Sequence, residues 1–343
     1  MKTVFVGLSG GVDSSVSALL LKQQGYDVVG VYMKNWSQSL PGFNCPWRED
    51  YQDAKRIAVQ LGIKFEMFDF ERDYRHKVVD YMIDEYKKGN TPNPDIMCNQ
   101  EIKFKVFLST AIEKGANLVA TGHYANTMQG QLLTAKDKSK DQTYFLYRVT
   151  KNALEKTLFP LGDYLKTEVR ELAKNHKLIT ANKKESMGIC FVGKVGIKEF
   201  LSQYIKTQPG PIIDQNGLII GEHDGAIFYT IGQRHGLNVG GGLPYYVVAK
   251  DMDLNTIYVS TKIDDERLWH KNIRIVQSHW INSEPIIEKE YSVRTRHRGP
   301  LLPAKFTANG EIVFKNSVKA LNTGQSAVVY DNEVVLGGGI ISI

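Results

Sequence analysis

Apolar and polar positions fall into two textures along the chain. In the first, four short apolar runs have the length and branched content of buried strands: Thr3-Val4-Phe5-Val6-Gly7-Leu8, Val28-Val29-Gly30-Val31-Tyr32-Met33, Phe65-Glu66-Met67-Phe68 and Leu118-Val119-Ala120-Thr121. Helical spacing fills the gaps between them. Val16, Leu19, Leu20 and Leu21 share a face from Ser14 to Gln24, and Gly25 supplies the stop. Tyr51 to Leu61, closed by Gly62, reads as a second helix, Asp73 to Lys88 as a third and Phe104 to Lys114 as a fourth. This alternation predicts an α/β unit with a parallel sheet covered by helices. Ligands of such sheets lie beyond the C-terminal strand ends. The Ser9-Gly10-Gly11 turn, Met33 and Gly122-His123-Tyr124 all fall at such ends.

The second texture begins after about residue 205, at the break Gln208-Pro209-Gly210-Pro211. Short alternating runs follow, among them Tyr245 to Ala249, Thr256 to Val259, Glu288 to Thr295, Ala304 to Thr307, Glu311 to Phe314, Gln325 to Tyr330 and Glu333 to Leu336. Asp, Asn and Gly turns separate them, which predicts small β-barrels. A change of character at Trp269-His270 divides this half. The expected domains are 1–205, 206–265 and 266–343.

Length supports more than one core, since 343 residues exceed what a single small domain needs. Hydrophobic content of 42% and charged content of 23% are those of an ordinary globular chain. No apolar run reaches the roughly 18 residues of a spanning helix, and the run after Met1-Lys2 is too short for a secretory leader. Three cysteines, an odd number, argue against a disulfide framework. Together these predict a cytoplasmic protein that does not engage a membrane. The absence of Cys-x-x-Cys and His-x-x-x-His spacings argues against structural zinc or an iron–sulfur site. A net charge of +6 tilts toward a polyanionic partner.

Three strings carry candidate chemistry. Gly7-Leu8-Ser9-Gly10-Gly11-Val12-Asp13-Ser14-Ser15 joins a strand to a helix. Glycines let backbone N–H groups converge on an anion, and the helix start adds a favourable dipole. Asp13 is placed to hold a magnesium ion or to cap the helix; an ordinary capped turn is the plainer alternative. The string is neither a Walker A loop nor a dinucleotide fingerprint. Thr91-Pro92-Asn93-Pro94-Asp95 is expected to be a rigid, non-helical loop presenting Asp95 and Cys98. Cys98 then lies at a helix start, where a thiol loses its proton more readily. Cys190, in Gly188-Ile189-Cys190-Phe191, follows Lys183-Lys184, two cations that would favour a thiolate. Burial as small hydrophobes is the competing reading of both cysteines. Cys45 has no activating context.

Ser9-Gly10-Gly11-Val12-Asp13-Ser14-Ser15 resembles the signature of the PP-loop ATP pyrophosphatases. With Thr91 to Asn99, Glu101-Ile102-Lys103-Phe104, Ala120 to Tyr124, Lys140 to Leu146, Gly188 to Phe191, Tyr229 to Arg234 and Gly324-Gln325-Ser326, the chain resembles the bacterial tRNA-specific 2-thiouridylases along nearly its whole length. The resemblance implies a Rossmann-like (HUP-like) PP-loop domain, a small central β domain and a C-terminal β-barrel. It implies ATP, with Mg2+, bound by Gly7, Leu8, Ser9, Gly10, Gly11, Val12, Asp13, Ser14, Met33 and Gly122. It implies Asn93, Pro94 and Asp95 at the target uracil. It implies tRNA contact, through the anticodon arm with its wobble uridine, by His123, Lys140, Asp141, Gln142, Arg296, His297 and Gln325. Cys98 matches the nucleophile and Cys190 the persulfide carrier, and the two would form a transient disulfide. A persulfide-donating sulfur-relay protein is the implied partner. The implied reaction adenylates the uracil 2-oxygen and transfers sulfur, releasing AMP and pyrophosphate.

Two other readings remain at this point. A PP-loop synthetase acting on a small molecule would need neither the cysteine pair nor a basic barrel. A nucleotide sensor or RNA-binding module would not need the Asp95–Cys98 arrangement.

Overall fold

In the computed structural model the described residues are 1–39, 45–184, 196–237, 239–240, 242 and 244–343. The predicted strands β1 (Thr3–Gly7), β2 (Asp27–Lys34), β3 (Lys64–Asp69) and β4 (Leu118–Ala120) form a parallel sheet, in which β7 (Thr157–Leu158) follows β4. Its order is β3-β2-β1-β4-β7, with a switch point between β1 and β4. Helix α1 (Val12–Gln23) follows β1, and α2 (Trp47–Leu61) connects β2 to β3. Val4, Val6 and Leu8 pack toward α1 and α2, while Phe5, Val29 and Val31 pack toward the opposite layer. That two-sided burial explains why these strands read as continuous apolar runs rather than as alternating ones.

The next two helices contain wide turns that spacing did not reveal. Helix α3 (71–87) runs through a π-helical segment, Arg75–Val79. Helix α4 (94–113) opens on one α turn, Pro94–Met97, passes through a wide segment, Cys98–Val106, and closes on Phe107–Glu113. The expectation of a non-helical Pro94-Asp95 is therefore corrected. Pro94 stands at the first helical position, where its missing N–H costs nothing. The extended residue is Asn93, the helix cap, whose Oδ1 accepts the Asp95 N–H at 3.1 Å.

A hairpin of β5 (Asn126–Met128) and β6 (Gln131–Leu133) leaves the first unit. Helices α5 (Lys151–Glu155), α6 (Lys166–Asn175) and α7 (Ile197–Leu201) follow. The central β unit holds β8 (Gly210–Ile213), β9 (Ile219–His223), β10 (Tyr246–Asp251) and β11 (Thr256–Ser260), in the order β10-β11-β8-β9. Among the described residues it is a four-stranded sheet, the small central β domain expected. Pro211 does not break β8, because a strand tolerates proline where no ladder donor is needed.

The last unit closes. Strands β12 (Trp269–Trp280), β13 (Glu290–Arg294), β14 (Leu302–Phe306), β15 (Glu311–Lys319), β16 (Ser326–Asp331) and β17 (Val334–Ser342) run in the order β12-β15-β14-β13-β16-β17, and β12 pairs back to β17. Closure needs Gly337 and Gly338. A Cβ would lie 2.1 Å from the His279 carbonyl oxygen at the first and 2.1 Å from that of Ala327 at the second. Strand β17 also pairs with β6, so a hairpin of the first unit extends the barrel sheet. Tyr144, Leu146 and Tyr147 of the first unit share one core with Val328, Tyr330 and Val335 of the barrel. No helix among the described residues is long and apolar enough to cross a membrane.

Candidate active site

The β1–α1 turn builds the phosphate end. Gly10 adopts φ +74°, and a Cβ there would sit 2.5 Å from the Asp50 carbonyl oxygen, so only glycine lets this turn lie against α2. Gly11 caps α1 with its backbone alone. Ser9 N–H donates to Ser14 Oγ at 3.2 Å, and Ser14 and Ser15 hydroxyls return to the Gly11 carbonyl at 3.1 and 2.8 Å. Gly122, just past β4, packs on the same helix start, where a Cβ would meet Ser14 N at 2.8 Å. Met33, at the end of β2, covers Gly7, with its methyl 2.8 Å from a Cβ built there. The residues expected at ATP therefore converge on one strand-end crevice.

Asp13 faces that crevice. Lys166, at the start of α6, reaches its two carboxylate oxygens at 2.7 and 2.8 Å, and the Tyr124 hydroxyl donates to Oδ1 at 2.9 Å. A cleft of about 240 Å³ opens here. Its walls bring Ser9, Gly11 and Asp13 together with Lys140, Gln142 and Lys184 and with His297 and Arg298 of the barrel. Sequence reasoning missed Lys166 and gave Tyr124 no role of its own. Lys166 lies far from the loop in sequence, in a helix that was not predicted. No group of three or more His, Cys, Asp or Glu able to hold a metal occurs among the described residues. For magnesium, Asp13 is the carboxylate at the cleft, and one carboxylate beside substrate phosphates suits that ion.

The start of α4 builds the second end. Asp95 is half-buried: desolvation raises its pKa, and the Lys103 charge opposes that rise. Cys98, three residues on, is at 3% exposure, in one core with Phe5, Val29 and Met82. Asn99 donates its Nδ2 to the Phe145 carbonyl at 3.0 Å. Cys190 lies outside the described residues, as does the rest of Gly188-Ile189-Cys190-Phe191. Lys183, expected to supply charge near Cys190, carries two ion pairs. Its Nζ bridges Asp50 at 2.9 Å and Asp53 at 2.7 Å, which fastens this part of the chain to α2. Lys184 is the cation that lines the cleft. Cys45 is half-buried, desolvation raises its pKa, and its Sγ donates to the Trp36 carbonyl.

The residues expected at RNA divide into two groups. Arg296 is exposed and lines a cleft of about 600 Å³ between the central sheet and the barrel, together with Gln325 and the Thr230–Gln233 backbone segment. Gln325 also donates to the Thr91 carbonyl at 2.7 Å, so the barrel holds the approach to α4. His297 stacks on Phe145 with centroids 4.3 Å apart. Burial, aided by Arg298 and Arg294, pushes its pKa down to about 4. Lys140 and Gln142 line the phosphate cleft. His123 and Asp141 require correction, because both are buried, at 8% and 3% exposure. Asp141 accepts the Ala135 N–H at 2.8 Å and the Thr143 hydroxyl at 2.6 Å, and pairs with Arg294 of the barrel at 3.4 Å. His123 is wedged between Phe104 and Phe159, with Nδ1 on the Thr121 hydroxyl at 2.8 Å. These two residues shape the site from behind its surface.

Residues 2–194 match the family described as the tRNA methyl transferase HUP domain. Residues 198–261 match the tRNA methyl transferase PRC-barrel domain, and residues 270–341 the aminomethyltransferase beta-barrel domain. The chain is 46% identical over 349 residues to the tRNA-specific 2-thiouridylase MnmA of Bacillus subtilis (strain 168), covering 98% of this chain and 94% of that one. It is 47% identical over 348 residues, with the same coverage, to the enzyme of that name from Listeria monocytogenes serotype 4b (strain F2365). Likeness of this extent runs through all three units. The chain belongs to the tRNA-specific 2-thiouridylase family.

Proposed function

We propose that this chain is a tRNA-uridine 2-sulfurtransferase that uses ATP to replace the 2-oxygen of the wobble uridine with sulfur. The observation that carries this reading is the shared cleft. Its one wall is the glycine turn and Asp13, and its other is the basic His297-Arg298 edge of the barrel. A nucleotide and an RNA would meet there. Phosphate contact by such a basic edge supplies affinity.

In the proposed reaction, Asp95 takes the uracil N3 proton as the 2-oxygen attacks the α-phosphorus of ATP, and pyrophosphate leaves. The terminal sulfur of a Cys190 persulfide, released by attack of the Cys98 thiolate on the inner sulfur, adds to C2. AMP then departs, leaving the 2-thiouridine and a Cys98–Cys190 disulfide. Thiolate exchange requires the two cysteine sulfurs to meet. Magnesium, held through Asp13 and the phosphates, would neutralise charge on the leaving group. A sulfur-relay protein would load Cys190, and a cellular reductant would reopen the disulfide. We assign catalysis to residues 1–205, and the remaining contacts to a central unit at 206–265 and a barrel at 266–343.

The test is nucleoside mass spectrometry of tRNA from a deletion strain, with and without a plasmid-borne copy. Loss of 2-thiouridine, restored by the plasmid, is expected. Unchanged 2-thiouridine in the deletion strain would contradict the reading.

A further inference from the structure

Lys103 is a half-buried cation that makes no ion pair among the described residues. Its neighbours on α4 do pair: Glu101 receives Lys105 at 2.9 Å and also the Gln100 amide at 2.8 Å. Lys103 instead places its Nζ 3.4 Å from His123 Nε2. An ammonium only donates, so this ring nitrogen is the acceptor and the proton lies on Nδ1, toward Thr121. Burial and the Lys103 charge both hold His123 neutral. The imidazole therefore steers the ammonium without cancelling its charge.

The wide segment of α4 explains where that charge points. A π turn takes more residues per turn than an α turn, so the spacing that returns residues to one side lengthens. Ile96 and Phe104, which follow Asp95 and Lys103, pack in one core cluster, so Asp95 and Lys103 lie along the same side of α4 although eight residues apart. Cys98 turns to the other core, with Ile102. A regular α-helix would rotate Lys103 away from Asp95. Wide turns of this kind concentrate at functional sites.

We propose that Lys103 is a positioning residue for the thiolation chemistry, held by His123 on the side of α4 that carries Asp95, so that its positive charge keeps this carboxylate ready to accept the proton of the target base. The inference rests on the reading of Asp95 as the uracil base. Among the described residues the charge that acts on Asp95 is that of Lys103, with His123 behind it; Asn93 caps the Asp95 backbone, and Glu101 is turned to Lys105.

The test compares wild type with Lys103→Met, Lys103→Gln and Lys103→Arg in the full chain. Aspartate labelled with carbon-13 at the carboxyl, with the Asp95 signal identified by its loss in Asp95→Asn, reports the titration without RNA or ATP. The midpoint should move to higher pH in Lys103→Met and Lys103→Gln and stay near wild type in Lys103→Arg. In single-turnover thiolation the acid limb should move in the same direction, and Lys103→Arg should restore it. An Asp95 midpoint unchanged in both neutral variants would overturn the proposal, as would a lowered rate with an unmoved acid limb. If wild type fails to thiolate tRNA while the Asp95 midpoint still follows Lys103, the charge assignment is supported and the proposed function falls.

Discussion

At the phosphate end the acidic group, Asp13, is about one-third exposed (32%) and surrounded by partners: both oxygens on Lys166, one also on Tyr124. At the base end the acidic group, Asp95, is also half-buried, but desolvation raises its pKa and the charge acting on it is that of Lys103. The contrast is chemical. A carboxylate in partial solvent exchanges one counter-ion for another at little cost, which suits the proposed exchange of a lysine for a metal–phosphate complex. A carboxylate whose pKa is displaced by burial suits the proposed acceptance of a proton from a base. The two ends also draw on different parts of the chain. Strand ends and α6 build the first, whereas one irregular helix, braced by the barrel through Gln325 and Thr91, builds the second.

The cysteines give the largest expected effects. Cys190→Ser should lose both the trapped persulfide and thiolated tRNA. Cys98→Ser should keep the persulfide on Cys190 but fail to complete transfer, while Cys45→Ser should match wild type. Peptide mass mapping after labelling with a sulfur donor and alkylation reads all three. Persulfide on Cys45, or full activity in Cys98→Ser, would break the assignment of the base end.

Asp13→Ala should reduce ATP cleavage by about 10²-fold or more, while tRNA affinity changes by less than about twofold. Filter binding and pyrophosphate release measure the two quantities separately. A parallel loss of RNA affinity would show that the two ends do not act independently.

A stability effect comes next. Asp141 and Arg294 join the first unit to the barrel with side chains 2% and 13% exposed. Asp141→Ala strands the buried arginine and the Ala135 amide, and should cost about 3 kcal/mol in urea unfolding. A cost below about 1 kcal/mol would mean that the apolar seam around Tyr144 and Tyr330 holds the units together unaided.

Asp95→Asn sharpens the contrast through pH. Burial places the folded carboxyl's pKa above its unfolded value, so the ionised form costs stability at neutral pH. That cost fades as pH falls through the folded pKa and is gone below the unfolded one. Asp95→Asn should therefore raise Tm at neutral pH and lose that advantage in acid, while abolishing thiolation. The smallest effect belongs to the rim. Arg296→Ala should flatten the slope of log affinity against log salt by about one unit.

The legible part of the fold was the part whose burial is uniform. Strands covered on both faces, such as Val4 to Gly7 and Val28 to Tyr32, announce themselves by continuous apolar sequence. Strand β12 did not, because among its twelve residues only Ile273 is buried. Strand β17 was cut short at Leu336, since three glycines read as a turn when they in fact let neighbouring backbones approach. The wide turns of α3 and α4 left no mark because apolar spacing is read against an α period. At the site, residue types and order singled out Asp13, Asp95 and Cys98 as candidates. They did not identify Lys166 or Lys103, whose partners come from distant segments, nor that His123 and Asp141 face inward.

The central claim is that both ends act in one reaction, and the stoichiometry of that reaction tests it most directly. Purified chain, an unmodified tRNA transcript, Mg-ATP and a persulfide donor would be mixed under single-turnover conditions, with nucleotides and nucleosides quantified from the same samples. The account predicts AMP, pyrophosphate and 2-thiouridine appearing together in equal amounts, with AMP formation requiring the tRNA. ADP as the main product, or AMP released without thiolated uridine, would contradict it.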